Sequence, residues 1–192
     1  MPDESAVSKS EQSWPSGTIF TVGHSTLPIE KFIALLKTYD IEQLADIRTL
    51  PRSRYNPQFN DTSLEKSLPA AAIAYVPMKE LGGMRKPRKD TPNSGWRHEG
   101  FQGYADYMET QEFQAALVRL IMLGKMRRTA IMCAEGVPWR CHRSLVADAL
   151  AVRDVPVAEI LSEKECRAHQ LTSFARVNGT HITYPPEQAS LF

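Results

Sequence analysis

Thr18-Ile-Phe-Thr-Val-Gly-His-Ser-Thr-Leu-Pro-Ile-Glu-Lys-Phe-Ile-Ala-Leu-Leu-Lys-Thr-Tyr-Asp-Ile-Glu-Gln-Leu-Ala-Asp-Ile47 is the stretch whose reading decides the fold. Its first six residues are a short apolar run closed by glycine, as in a buried strand. Pro28 stands where a helix begins, because its missing N–H is an orphan there anyway. Ile29, Phe32, Ile33 and Leu36 then recur at i, i+3, i+4 and i+7, the period of one helix face. Gln43 to Ile47 is a second strand. Strand, helix and strand in about 30 residues make a βαβ unit, which implies parallel pairing and a right-handed crossover.

The alternation continues outward. Asp61 or Thr62 can cap a helix reaching Ala71, and Ile73 to Val76 reads as a third strand. Phe113, Leu117, Leu120 and Ile121 mark an amphipathic helix. Thr129 to Cys133 is a fourth strand, residues 143–152 a helix, and Val155 to Leu161 a fifth strand. A short strand at His181 to Tyr184 precedes Pro185-Pro186. The pattern predicts an α/β domain, its mostly parallel sheet covered by helices on both faces in three layers, with the strand order left open. Two stretches resist periodicity: residues 48–60, broken by Pro51 and Pro57, and Lys79 to Phe101, with Gly82-Gly83, Pro87 and Pro92. A loop of about 20 residues in a compact domain is usually functional or disordered.

With 192 residues, 42% hydrophobic and 23% charged, the chain suits one domain with a real core. Residues 1–16 are polar and read as a disordered leader, 17–187 as the domain and 188–192 as a tail. A net charge of +1 gives no global drive toward nucleic acid or an anionic membrane. Three cysteines without an apolar leader argue against a disulfide framework and for a reducing, cytoplasmic location. No run of about 18 apolar residues exists, so no membrane partner is expected.

Polar residues fall at the carboxyl ends of the strands: Gly23-His24-Ser25, Asp46 with Arg48, and Glu135. Parallel strands bring those ends to one edge, where open α/β sheets bind ligands. His24 suits a general base or a metal ligand, or else a histidine bonded to backbone. Ser25 can donate to an anion. Arg48, Arg52 and Arg54 present guanidinium forks suited to phosphate or carboxylate, or else a solvated loop. After the fourth strand comes Cys133-Ala-Glu-Gly-Val-Pro-Trp-Arg-Cys-His-Arg-Ser144. There Arg140, His142 and Arg143 surround Cys141 at a helix start, a setting that should lower its pKa and favour thiolate. Cys141 is therefore read as a nucleophile or soft ligand, or else as packing of the first turn, and Cys133 as facing the core. A Cys-x5-Arg phosphatase signature fails, since Trp139 stands six residues after Cys133, and no Walker A or dinucleotide-binding glycine pattern is present. The long loop sets Arg85, Lys86, Arg88, Lys89 and Arg97 against Asp90 and Glu99, with Trp96, Phe101 and Tyr104 interleaved. Such a mixture can bind single-stranded nucleic acid or close as a lid, and its aromatics can equally anchor the loop.

At these residues the chain resembles the domain of unknown function 488 family, DUF488. The blocks that carry the resemblance are Val22-Gly-His-Ser-Thr26, Asp46-Ile-Arg48, Pro51-x-Ser-Arg54-x-x-Pro57-x-Phe59 and Leu81-Gly-Gly83. Asn93-x-Gly-Trp96-Arg97, Gly103-Tyr-Ala-Asp-Tyr107, Met132-Cys-Ala-Glu135 and Trp139-Arg-Cys-His-Arg143 complete them, and His169-x-Leu-Thr-x-Phe-Ala-Arg-Val177 is similar to the tail of one branch. The resemblance spans residues 18 to 185 and implies the α/β fold and this site, without a reaction. Leu27 and Ser144 depart from it, standing where relatives are often basic.

The expectation is a hydrolase or transferase acting on a phosphate-bearing or otherwise anionic small molecule, such as a nucleotide. Ser25, Arg48, Arg52, Arg54, Arg140, His142 and Arg143 are its binding residues. His24 or Glu135 would transfer the proton, Asp46 orient it, and Cys141 attack. Two alternatives stand beside it. One is nucleic-acid binding or processing through basic loops 48–60 and 84–101; the other is a metal held by His24, Cys141, His142 and Glu135. Cofactor and oligomeric state are not legible.

Overall fold

A computed structural model describes residues 13–186. Its elements alternate as the sequence pattern demands: β1 (Ile19–Gly23), α1 (Ile29–Thr38), β2 (Gln43–Asp46), α2 (Asp61–Ala70), β3 (Ala74–Pro77), α3 (Glu99–Tyr107), α4 (Gln111–Met126), β4 (Thr129–Cys133), α5 (Arg143–Ala151) and β5 (Val157–Ile160). Three short strands follow, β6 (Cys166–Ala168), β7 (Arg176–Asn178) and β8 (His181–Thr183). The main sheet runs β3-β2-β4-β1-β5-β6, parallel except for β6, and β7 pairs with β8 as a separate hairpin.

The period of two along each strand sorts side chains between two cores. Ile19, Ala45, Ile131 and Val157 face one side, where they meet Tyr104, Phe113, Leu117, Leu145 and Leu150 of α3, α4 and α5. Phe20, Leu44, Ala130, Met132 and Ala158 face the other, against Phe32 and Leu36 of α1 and Leu64 and Leu68 of α2. The result is a three-layer α/β fold. Burial on both faces explains why the strand sequences are continuous apolar runs rather than alternating ones.

Three local readings differ. The helix α3 starts at the end of the stretch read as an irregular loop, Lys79 to Phe101, and runs on through residues that were given no element, because Gly100 and Gly103 weaken its sequence signal. Its Gly103 lies so close to the backbone of Arg85 and Lys86 that no Cβ would fit. β6 and β7, three residues each, are too short to show a period. Trp14 packs edge-on against Phe20, so the chain joins the domain before residue 17. The rest of the leader reading, residues 1–12, and the tail reading at 188–192 lie outside the described residues.

Candidate functional site

The parallel register places the strand ends side by side. Gly23 pairs with Cys133, and Asp46 with Met132, so the residues that follow β1, β2 and β4 emerge together. The ladder runs on beyond the strands: His24 N–H donates to the Cys133 carbonyl at 3.1 Å and Ser25 N–H to that of Ala134 at 2.9 Å. Ser25 adopts a left-handed conformation with φ of 47°, which costs a non-glycine residue about 1 kcal/mol or more.

A cavity of about 260 Å³ opens at this edge, lined by His24, Ser25, Arg48, Arg52, Glu135 and Gly136 among others. Arg48 is its best-held group. Nε and Nη2 grip both oxygens of Asp46 at 2.8 and 2.6 Å, Nη2 also donates to the Phe59 carbonyl at 2.7 Å, and Nη1 lies 3.2 Å from His24 Nε2. The Tyr75 hydroxyl donates to Asp46 at 2.7 Å. Asp46 therefore orients Arg48, and only through it His24. His24 Nδ1 lies 2.8 Å from the Ser25 carbonyl, which accepts only, so the proton sits on Nδ1 and Nε2 receives Arg48. Burial against Phe59, stacked at 4.0 Å, holds the His24 pKa below its ordinary value, and the Arg48 charge adds to this. His24 is thus a neutral ring at neutral pH.

The arginines separate into three situations. Arg52 is 79% exposed and only loosely paired, 3.9 Å from Asp61. Arg54 and Arg140 are exposed and outside the cavity lining. Arg143 is fully buried, and its guanidinium bonds the carbonyls of Val22, Glu135 and Gly136. It clips the loop after β4 to the end of β1. Gly23 makes this clip feasible, because a Cβ there would overlap the Glu135 carbonyl and Arg143 Nη1.

Beneath the loop, Cys133, Cys141 and His142 converge. His142 Nδ1 is 3.9 Å from Cys133 Sγ and 3.7 Å from Cys141 Sγ, while its Nε2 donates to the Ile47 carbonyl at 3.0 Å. Cys141 donates to Cys133, whose thiolate is further favoured by His142 and the Glu135 N–H despite burial. Cys133 is thereby pulled down and Cys141 pushed up, since Cys141 would have to ionise beside an existing thiolate. This corrects the expectation that helix start and arginines lower Cys141: a neighbour a few ångströms away outweighs them. Cys133, read as a core residue, is buried but is also the other half of this pair. Its place at the carboxyl end of the fourth strand was the available signal in the sequence. His24 and Glu135 do not join the cluster; among the described residues the donors that gather are Cys133, Cys141 and His142 alone.

The long loop is pinned rather than free. Buried Asp106 accepts from Arg88 N–H, Thr91 and Asn93 at 2.7 to 2.8 Å. Trp96 stacks on Phe101 at 4.8 Å and meets Phe174 and Tyr184, while Tyr104 is fully buried. Arg85 lies over the Tyr107 ring at 3.5 Å, and Arg88 pairs with Asp106 and Glu109. A second polar cluster went unseen in the sequence. His169 bridges Asp148 at 2.8 Å and Glu159 at 2.9 Å, and Asp148 also accepts from Tyr184 at 2.9 Å.

Fold and site together define an α/β domain with a charged pocket and a thiol–imidazole cluster at the carboxyl edge of a parallel sheet. The sequence matches the family model described as Domain of unknown function DUF488 over residues 28–150, and the chain belongs to that family. No curated protein and no solved structure matches it. The matched span holds Arg48, Cys133, Glu135 and His142; His24 and His169 lie outside it. Among the described residues no helix is long and apolar enough to cross a membrane.

Proposed function

We propose that the chain is an enzyme that binds a phosphate-bearing or otherwise anionic small molecule, in the first instance a mononucleotide, at the carboxyl edge of its sheet. The observation that carries the reading is the single cavity shared by His24, Ser25, Arg48, Arg52 and Glu135. Of the five N–H groups of a guanidinium, Arg48 commits four, leaving one Nη1–H for a ligand oxygen. Asp46 balances its charge. Recognition then rests on directed donors, Arg48 and the Ser25 hydroxyl, with the exposed, loosely paired Arg52 as a further cation.

Glu135 is exposed in the same cavity and is the group placed to accept a proton, as in a hydrolase or transferase. His24 acts as the positioning residue for Arg48, and enters proton transfer only when Nη1 leaves its Nε2. Arg54 and Arg140 contribute at most to long-range attraction. Calorimetric titration with a mononucleotide and with inorganic phosphate tests this. Arg48→Lys, which keeps the charge but loses the fork, should weaken mononucleotide binding about tenfold or more, the worth of a charged hydrogen bond. Absence of binding to either probe, or affinity indifferent to Arg48→Lys and Arg52→Ala alike, would overturn the reading. A steep loss of affinity with salt would instead favour a polyanion.

A further inference from the structure

The pocket reading makes no use of the three soft donors beneath the loop, and their geometry carries an assignment of its own. We propose that Cys133, Cys141 and His142 form a Cys2His site for a zinc-class divalent cation.

Distance is the first argument. A tetrahedral ion with metal–sulfur bonds of about 2.3 Å and a metal–nitrogen bond of about 2.0 Å holds nitrogen and sulfur roughly 3.5 Å apart. The same bonds hold two sulfurs roughly 3.8 Å apart. His142 Nδ1 stands 3.7 and 3.9 Å from the two sulfurs, and all three donor atoms lie within 4.8 Å of one another.

The second argument is the direction of the lone pair. The Ile47 carbonyl accepts the Nε2 proton at 3.0 Å, so the neutral ring carries its lone pair on Nδ1, which faces both sulfurs. A backbone carbonyl that fixes the tautomer is the usual partner of a metal-binding histidine. A cysteine pair poised only for disulfide formation has no need of an imidazole lone pair aimed between its sulfurs.

Local backbone supplies the third. Sequence neighbours in a strand point apart. Here Cys141 is extended, with φ −137° and ψ 144°, and His142 is helical, with φ −57° and ψ −17°. That switch lets adjacent side chains aim at Cys133, which ends β4 nine residues earlier. The ring of His142 is held in place by Tyr104, with centroids 4.9 Å apart, and by Gly83, where a Cβ would sit 3.0 Å from Nδ1. Three protein donors leave a fourth tetrahedral position for water or an anion, the arrangement of an open zinc site rather than a closed one. Ion binding displaces the thiol proton that the pair retains, so that both sulfurs bind as thiolates.

The test uses the full chain, untagged, reduced and stripped with chelator, then titrated with Co²⁺ alone. A one-to-one complex should appear with sulfur-to-cobalt charge transfer and the strong visible bands of tetrahedral cobalt, both abolished by added Zn²⁺. Cys141→Ser should remove about half of the charge-transfer intensity, since one of two thiolates is lost. Cys166→Ser should leave the spectrum unchanged. Because variants of buried Cys133 can fail to fold, Gly83→Ala provides the gentler probe: by pressing on the His142 ring it should weaken Co²⁺ binding about 10- to 100-fold. A weak octahedral spectrum from folded protein, or charge transfer that keeps its full intensity in Cys141→Ser, overturns the assignment. So does air oxidation of the metal-free pair to a disulfide with no cobalt complex in the reduced protein. None of these outcomes depends on the anion pocket, whose own titrations use phosphate and nucleotide.

Discussion

His24 and His169 are both buried, both follow a strand, and both are locked by hydrogen bonds through each ring nitrogen, yet they carry opposite charge states. Burial pulls each pKa down. At His24 the nearest charge is the Arg48 guanidinium, so nothing reverses that pull and the ring stays neutral. At His169 the carboxylates of Asp148 and Glu159 outweigh burial and raise the pKa to about 9, making an imidazolium. The difference teaches what each is for. A neutral histidine against an arginine, at the rim of a cavity, is adjustable. An imidazolium sealed between two carboxylates fastens the strand β6 and the tail after it onto α5 and β5.

The largest expected effect breaks the fastened side. Asp148 is fully buried and serves His169, Tyr184 and the Thr172 N–H. Asp148→Ala leaves His169 Nε2, the Tyr184 hydroxyl and the Thr172 N–H without their acceptor and should cost about 3–5 kcal/mol in urea unfolding. A loss under 1 kcal/mol would mean that the cluster contributes no net fastening.

pH separates the two histidines next. The raised His169 pKa contributes stability that is fully present below its ordinary 6.5 and is lost as pH rises through about 9. The size of that loss is about 3 kcal/mol. His24 has the opposite sign: its folded pKa is depressed, so stability falls as pH drops below 6.5 and the unfolded chain takes up the proton first. Unfolding free energies across pH 5 to 10 should show the alkaline decline flattened in His169→Gln and the onset of the acid decline delayed in His24→Gln. An unchanged alkaline slope in His169→Gln would dispose of the imidazolium.

The smallest effect sharpens the cavity side. Ser25→Gly relieves the left-handed strain while removing a donor, so stability should hold or rise by about 0.5–1 kcal/mol. Mononucleotide affinity should fall in the same variant. Thermal melts beside calorimetry would show whether the two move in opposite directions, as a strained binding residue requires.

Much of this architecture was legible in order. The run from Thr18 to Ile47 announced a parallel βαβ unit, and the positions after Gly23, Asp46 and Cys133 were bound to share one edge once the strands were parallel. Local composition could not say which arginine faces the cavity. Arg48, Arg140 and Arg143 look alike in sequence; one lines the cavity, one is exposed, and one clips three carbonyls in the interior. Nor could it rank Cys133 against Cys141, because their ionisation depends on each other and on a carbonyl from Ile47, 95 residues before His142. The His169 cluster was equally hidden, with Asp148, Glu159 and Tyr184 contributed by three separate segments.

By itself, then, the sequence determined the layers and the edge. Continuous apolar runs in the strands and a hydrophobic period of 3.6 in the helices act within a dozen residues and dictate which faces must be buried. Only the tertiary structure decided strand order, which arginines line the cavity, the Cys133–Cys141–His142 convergence and the opposite charges of two histidines. Those outcomes are set by distances of 3 to 4 Å between groups far apart in the chain, where desolvation and neighbouring charge, not residue type, fix the chemistry.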